Sequence, residues 1–169
     1  MRQYNHYRPN RNMLIYLMDI LDIQSPIGAL RLHGDGTAII KLEWVARISK
    51  TSDDKILNAA ARELINYFTG KSNSFTVPLR PEGSAFQQSV WHMMQKIPAG
   101  KTMSYGQVAA KLKSGARAVG TACGKNPIPI IIPCHRIVGT GGAMGGYSGR
   151  GGEKTKQFLL DLENQRPAF

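Results

Sequence analysis

Between Asn126 and Arg136 the chain reads Asn-Pro-Ile-Pro-Ile-Ile-Ile-Pro-Cys-His-Arg, and its prolines at 127, 129 and 133 rule out a regular helix there. Each proline removes a backbone donor and holds the residue before it extended. The stretch is expected to form a rigid apolar rod ending at Cys134. A nucleophile held at a fixed point loses little entropy when it meets one atom of a bound group, so the pattern singles out Cys134 with His135 and Arg136 beside it. Neighbouring cations and a short helix starting after Pro133 would each favour thiolate over thiol. The plainer alternative is a buried structural cysteine beside a salt-bridging arginine.

The rest of the chain sets that segment in context. With 169 residues, 42% hydrophobic and 20% charged, it has room for one compact domain or two small lobes sharing a core. It is too apolar for a disordered chain, and no apolar stretch approaches the roughly 20 residues of a bilayer-spanning helix, so no membrane partner is expected. Lys and Arg number 22 against 11 Asp and Glu, a formal net charge of +11. Their placement is more informative. No acid lies between Glu82 and Glu153, an interval that holds Lys96, Lys101, Lys111, Lys113, Arg117, Lys125, Arg136 and Arg150. A block of one sign is expected to form a face that meets phosphates, with chance spacing in a basic protein as the alternative. The two cysteines, Cys123 and Cys134, have no CxxC spacing, which supports neither a disulfide scaffold nor a zinc cage and points to a reducing cytoplasm.

Residues 1–12 read as a loose basic arm, and Met13 is an alternative start. The apolar run from Met13 to Met18 looks superficially like a signal peptide, but Asp19 and Asp22 interrupt it and no small-residue cleavage site follows, so export is not expected. From Tyr16 to Trp44, turn signals at Ser25-Pro-Ile-Gly28 and His33-Gly-Asp-Gly36 separate two or three antiparallel strands. Residues 53–69 carry Ile56, Ala60, Leu64, Tyr67 and Phe68 at helical spacing before Gly70. An extended link, Phe75 to Leu79, leads to the lobe boundary at Pro81-Glu-Gly83. Ser84 with Gln87 forms a capping-box pattern ahead of an apolar stripe, Phe86, Val90, Met93, Met94 and Ile97, that Pro98 terminates. The same pattern at Ser104 and Gln107 opens a short helix through Leu112, and a second runs from Ala116 to about Lys125. Two short helices joined by a glycine turn describe a helix-turn-helix, or an αα-hairpin within a core. Ala and Gly dominate the second helix where a sequence reader would carry base-contacting side chains, so its backbone can approach DNA without reading a code.

Taken together, Pro133-Cys-His-Arg136, Asn126-Pro127, Gly145-Gly-Tyr-Ser-Gly149, Ser104-Tyr-Gly106, Ala116-Arg-Ala-Val-Gly120 and Ser25-Pro-Ile-Gly28 resemble, in order and spacing, the O6-alkylguanine-DNA alkyltransferases. The resemblance is strong from Ser84 to Glu163 and faint before Phe75. It implies an α+β protein: an N-terminal lobe, 13–81, with an antiparallel sheet and a helix, and a helical C-terminal lobe, 82–169, with the helix-turn-helix and an active-site loop. It implies DNA repair, in which Cys134 accepts the alkyl group irreversibly and once. His135 would draw off the thiol proton through a bridging water, and Glu163 would orient the histidine. Glu163 also stands at helical spacing with Leu159 and Leu162 on the last apolar stripe.

The resemblance extends to the DNA contacts. Tyr147, by its hydroxyl, and Ser148, by its backbone N–H, would donate to the flipped guanine, and the Ile137 carbonyl would accept from its amino group. Arg117 would enter the base stack, Tyr105 would crowd the adjacent phosphate, and Asn126 would brace the active-site loop. Ala118, Gly120 and Arg136 complete the expected DNA contacts. Read singly, Arg117 is equally a phosphate contact and Tyr105 a core aromatic. The implied partner is double-stranded DNA carrying O6-alkylguanine, bound by a monomer without cofactor or metal. Animal relatives hold zinc in the first lobe, but no cysteine precedes Cys123 here. A longer tail after Gly149 and a short link from Lys111 to Arg117 depart from the family pattern. The rival readings are a noncatalytic lesion-binding or regulatory DNA-binding protein, whose relatives lack the acceptor cysteine, and a thiol hydrolase using Cys134 and His135.

Overall fold

A computed structural model describes residues 18–165. The arm expected over 1–12, the Met13 start and most of the Met13 to Met18 run lie outside these residues. The first lobe opens with an antiparallel sheet in the order β1 (Asp19–Ser25), β2 (Gly28–Gly34), β3 (Ile39–Trp44). Ser25 pairs with Gly28 across a two-residue loop. Gly28 has φ 109°, which a side chain tolerates poorly, and the Ser25 hydroxyl donates to its carbonyl at 2.6 Å. Leu21, Ile23, Leu30, Leu32, Ile39 and Leu42 turn inward. Asp22 is the buried polar exception: it accepts two hydrogen bonds from Arg31, at 2.7 and 2.9 Å, and the N–H groups of Ser49 and Lys50. That cluster pins the segment after β3 back against β1.

Helix α1 (Lys55–Phe68) is capped by Asp54, whose carboxylate accepts from the Leu57 N–H, and lays Leu57, Ala60, Ala61, Leu64 and Tyr67 into the core. Each of the two leucines contributes about 1.5–3 kcal/mol on burial. The Phe75 to Leu79 link meets the start of β3, with a parallel bridge between Ile39 and Leu79.

The second lobe begins with α2 (Ala85–Gln95) behind a complete Ser84–Gln87 capping box. The helix ends at Gln95, short of the Ile97 that the apolar stripe implies, as expected where Pro98 disfavours a helical conformation for the residue before it. Trp91 is buried and donates from Nε1 to the Ala122 carbonyl at 2.9 Å. That bond joins α2 to the helix-turn-helix, formed by α3 (Tyr105–Lys111) and α4 (Ala116–Gly124). The short link between them closes because Lys113 takes a left-handed conformation, φ 49°, and Ser114 donates back to the Ala109 carbonyl at 2.9 Å. Strand β4 (Met103–Ser104) pairs in parallel with β5 (Ile137–Val138), which fixes the start of α3 beside the chain that follows Cys134. Helix α5 (Glu153–Asn164) closes the described fold. The core is continuous across both lobes.

The proline segment is not the straight rod its composition implies. Ile130 is left-handed, φ 77°, the Ile132 N–H donates to the Ile128 carbonyl at 2.9 Å, and Pro129 bridges Ile132. The prolines restrain themselves and their predecessors and leave Ile130 free to turn. Folding back buries Ile128, Ile130, Ile131 and Ile132 together.

Candidate functional site

Asn126 holds the base of this turn. Its side-chain amide donates to the Ile132 carbonyl at 2.8 Å while its Oδ1 accepts from the Ile128 N–H at 3.0 Å, a pairing that fixes both ends of the segment leading to Cys134. From the first lobe, the Leu42 N–H donates to the Pro127 carbonyl at 2.9 Å. Cys134 then opens a single 3-10 turn, Cys134–Arg136, and lines a cavity of about 380 Å³ together with Tyr105, Gly120, Cys123, Tyr147 and Ser148.

Cys134 is buried, and burial pushes its thiol up to about 11, against the opposing pull of Asn126 and Lys156. This corrects the expectation of a preformed thiolate. Neither neighbour gives the sulfur a cation, because the side chains of His135 and Arg136 both bond Glu163. At neutral pH Cys134 is a thiol that needs a base.

The next residue in the chain is a titratable one. His135 is fully buried, with Nε2 2.8 Å from Glu163 Oε1. Burial disfavours the imidazolium more than Glu163 favours it, so the ring sits below the ordinary histidine value and is neutral. A carboxylate only accepts; Nε2 therefore carries the proton, and Nδ1, which is buried with no hydrogen-bond partner, presents a lone pair. Glu163 is in turn held on all sides. Its Oε1 accepts from the Tyr67 hydroxyl at 2.8 Å and from Arg136 Nη2 at 2.9 Å, and its Oε2 from the Gly100 N–H at 3.0 Å and Arg136 Nε at 3.1 Å. Burial alone would raise its pKa, but the bonds from His135 and Arg136 hold the carboxyl well below the usual range.

Arg136 corrects a second expectation. Its side chain is buried, clamped to Glu163 and to the Ile97 carbonyl at 2.5 Å, and it is not on the solvent face where DNA would meet it. Two charges taken from water need such mutual bonding to remain buried. The other cations of the acid-free block, Lys96, Lys101, Lys111, Lys113, Arg117, Lys125 and Arg150, are all exposed. Arg117 and Ala118 stand exposed on the first turn of α4, and Gly120 faces the cavity.

Tyr147 and Ser148 line the same cavity as Gly120. The Tyr147 hydroxyl is buried without a hydrogen-bond partner, and burial raises its pKa well above the ordinary phenol value, so it is a neutral donor. Tyr105, at the first position of α3, fits against Gly145, where a Cβ would come within 3.0 Å of its ring. The Ile137 carbonyl accepts from Lys156 Nζ at 2.6 Å, leaving one lone pair.

Lys156 was not legible as a site residue. It is fully buried on α5, bonds the Gly145 carbonyl at 3.1 Å as well, and ties the two ends of the glycine loop together. A signal existed: Lys156, Leu159, Leu160 and Glu163 share one helical stripe, so a lysine stands where the pattern demands an inward residue. Helical spacing marks Tyr67 as a core residue only, and Cys123, pushed up to about 12 by burial, carries no motif. Among the described residues no group of His, Cys, Asp and Glu has the makings of a metal site, and no helix is long and apolar enough to cross a membrane.

Comparison with known proteins gives a consistent result. The family model described as 6-O-methylguanine DNA methyltransferase, DNA binding domain, matches residues 85–165, and the one described as 6-O-methylguanine DNA methyltransferase, ribonuclease-like domain, matches residues 21–81. A methylated-DNA--protein-cysteine methyltransferase of Methanosarcina acetivorans is 39% identical over 149 residues, covering 83% of this chain and 94% of the relative. One of Mycobacterium bovis is 41% identical over 152 residues, covering 85% and 91%. Among solved structures, Mycobacterium tuberculosis O6-methylguanine methyltransferase superposes with a TM-score of 0.79 at 39% identity, covering 89% of this chain and 95% of that one. The same organism's OGT in complex with DNA gives 0.78 at 42% identity, covering 89% and 96%.

Proposed function

Because the chain belongs to the 6-O-methylguanine DNA methyltransferase family, we propose that Cys134 is the atom donor's counterpart in its reaction: the sulfur that takes the alkyl group from O6-alkylguanine in DNA. The protein is a DNA-repair methyltransferase that acts on its own cysteine. The noncatalytic DNA-binding reading is not favoured, because the acceptor is present and stands beside a base.

The observation that carries the assignment is the neutral His135 with Nε2 committed to Glu163 and Nδ1 free. In the reaction, the thiol proton passes to Nδ1 through a bridging water as the sulfur attacks the alkyl carbon. The S–C bond forms while the C–O6 bond breaks, and the electron pair of that bond leaves on guanine. The Tyr147 hydroxyl and the Ser148 N–H donate to the base as this charge develops, the kind of preorganised donor that lowers a barrier most. Glu163 stabilises the imidazolium that forms, as the carboxylate does in other relays. A thioether is stable, so each molecule acts once.

Access to the cavity requires that the nucleotide leave the stack, at a cost of a few kcal/mol. Arg117 on the first exposed turn of α4 fills the gap, Tyr105 crowds the phosphate, and the small residues Ala118 and Gly120 let the helix lie close to the groove. The remaining lone pair of the Ile137 carbonyl receives the guanine amino group. Arg136 is removed from the DNA contacts and acts through Glu163 instead. The protein works as a monomer, and its two free thiols fit the cytoplasm.

The test is stoichiometry. Mixed with an excess of duplex carrying O6-methylguanine, the protein removes one lesion per molecule and stops, and Cys134→Ala removes none. Continued turnover would contradict the reading.

A further inference from the structure

Beyond the Tyr67 bond to Glu163, the first lobe has no assigned part in the chemistry, yet β3 touches the site twice. Leu42 bonds the Pro127 carbonyl at the base of the acceptor turn. Two residues on, Trp44 meets Tyr147 edge to face, with ring centroids 6.4 Å apart and planes at 88°. Such a contact contributes about 0.5–1.5 kcal/mol beyond simple burial and is sensitive to ring orientation. The indole is itself fixed: its Nε1 donates to the Ile27 carbonyl at 3.1 Å, and its residue pairs with Leu30 in the sheet.

The third member of the contact is Gly149. A Cβ there would lie 2.2 Å from Tyr147 Cε1 and 2.6 Å from Trp44 Cη2, so the backbone of the loop is wedged against both rings. The Tyr147 ring is thus held by the indole and the Gly149 backbone, while its hydroxyl stays buried and unpaired in a residue that lines the Cys134 cavity. No hydrogen bond from the protein orients that hydroxyl, so the packing of the ring, the indole and Gly149 contacts included, determines where it points. We infer that Trp44 is a positioning residue for alkyl transfer: anchored in the first-lobe sheet, it sets the angle of the Tyr147 ring and hence the placement of the hydroxyl that meets the leaving guanine.

The inference rests on the reading of Tyr147 as the guanine donor. It is tested by single-turnover methyl transfer from saturating O6-methylguanine duplex, with Trp44→Leu, Trp44→Phe and Gly149→Ala made in the wild-type and Tyr147→Phe backgrounds. DNA affinity and thermal unfolding are measured on each. Trp44→Leu and Gly149→Ala are expected to slow transfer on the order of tenfold, as small displacements of a reacting group do, with DNA affinity retained. Trp44→Phe, which keeps an aromatic edge, recovers most of that loss. In the Tyr147→Phe background neither Trp44→Leu nor Gly149→Ala slows transfer further. Wild-type transfer by Trp44→Leu, or equal losses in both backgrounds, overturns the inference. Should Trp44→Leu fail to fold, Gly149→Ala and Trp44→Phe carry the same comparison. If Tyr147→Phe alone transfers at the wild-type rate, the donor reading itself falls, an outcome visible without any change at Trp44.

Discussion

His135 Nε2 and Glu163 Oε1 stand 2.8 Å apart with both side chains shut away from solvent, and this pair sets the protonation of the whole site. Glu163→Gln is expected to cost transfer roughly 10²–10⁴-fold, the range seen when a relay carboxylate becomes an amide. A glutamine can present its N–H₂ to Nε2 and move the imidazole proton to Nδ1. The same change leaves Arg136 buried without its carboxylate, a loss of about 3–5 kcal/mol. Single-turnover rates and denaturant unfolding measure the two effects separately.

The pH profile follows from two opposed shifts. Burial places the Cys134 thiol at about 11 and lowers His135 below its ordinary value, so the base is available at neutral pH and is lost only as pH falls through the depressed histidine pKa. Transfer is therefore expected to be flat from neutral pH upward and to decline only below the ordinary histidine range, as pH falls through the lowered His135 pKa. An unassisted thiol would instead gain about tenfold in rate with each pH unit toward 11, and that rise through neutral pH would contradict the relay. His135→Asn is expected to show it.

Lys156→Met tests the clamp on the glycine loop. The substitution keeps the apolar stem and removes the bonds to the Ile137 and Gly145 carbonyls, each worth about 1–3 kcal/mol when its partner is left buried and unpaired. Hydrogen exchange across residues 137–147 is expected to quicken and transfer to slow, with DNA affinity retained.

Arg117→Ala separates flipping from chemistry. The side chain is exposed on α4 and does not line the Cys134 cavity. The variant is expected to react with free O6-benzylguanine as the parent does and to lag on duplex DNA. Equal losses on both substrates would remove Arg117 from that role. Duplex affinity itself should fall steeply with salt, as phosphate contacts from the exposed cations of residues 83–152 require.

Local signals carried most of the architecture. The Ser84 and Ser104 capping boxes, the Ser25 to Gly28 hairpin and the α1 stripe are short-range patterns whose physics is complete within a few residues. The acceptor segment was harder, because three prolines restrain their own positions and leave Ile130 free to reverse the chain. The state of Cys134 is not legible for a related reason: sequence proximity places His135 and Arg136 beside the sulfur, but Glu163, far along the chain, bonds both side chains. Tyr67, Gly100 and Trp44 enter the site only through tertiary packing, which no local pattern records. Lys156 is the exception, since its place on an apolar helical stripe is visible in the sequence.

Alkyl transfer to Cys134 is tested most directly by mass spectrometry of the intact and digested protein after reaction with a duplex holding a single O6-methylguanine, beside Cys134→Ala. The account predicts one added methylene mass, on the Cys134 peptide alone, matched to one lesion lost per molecule. Unchanged mass despite DNA binding, or a methyl group carried on Cys123, would contradict it.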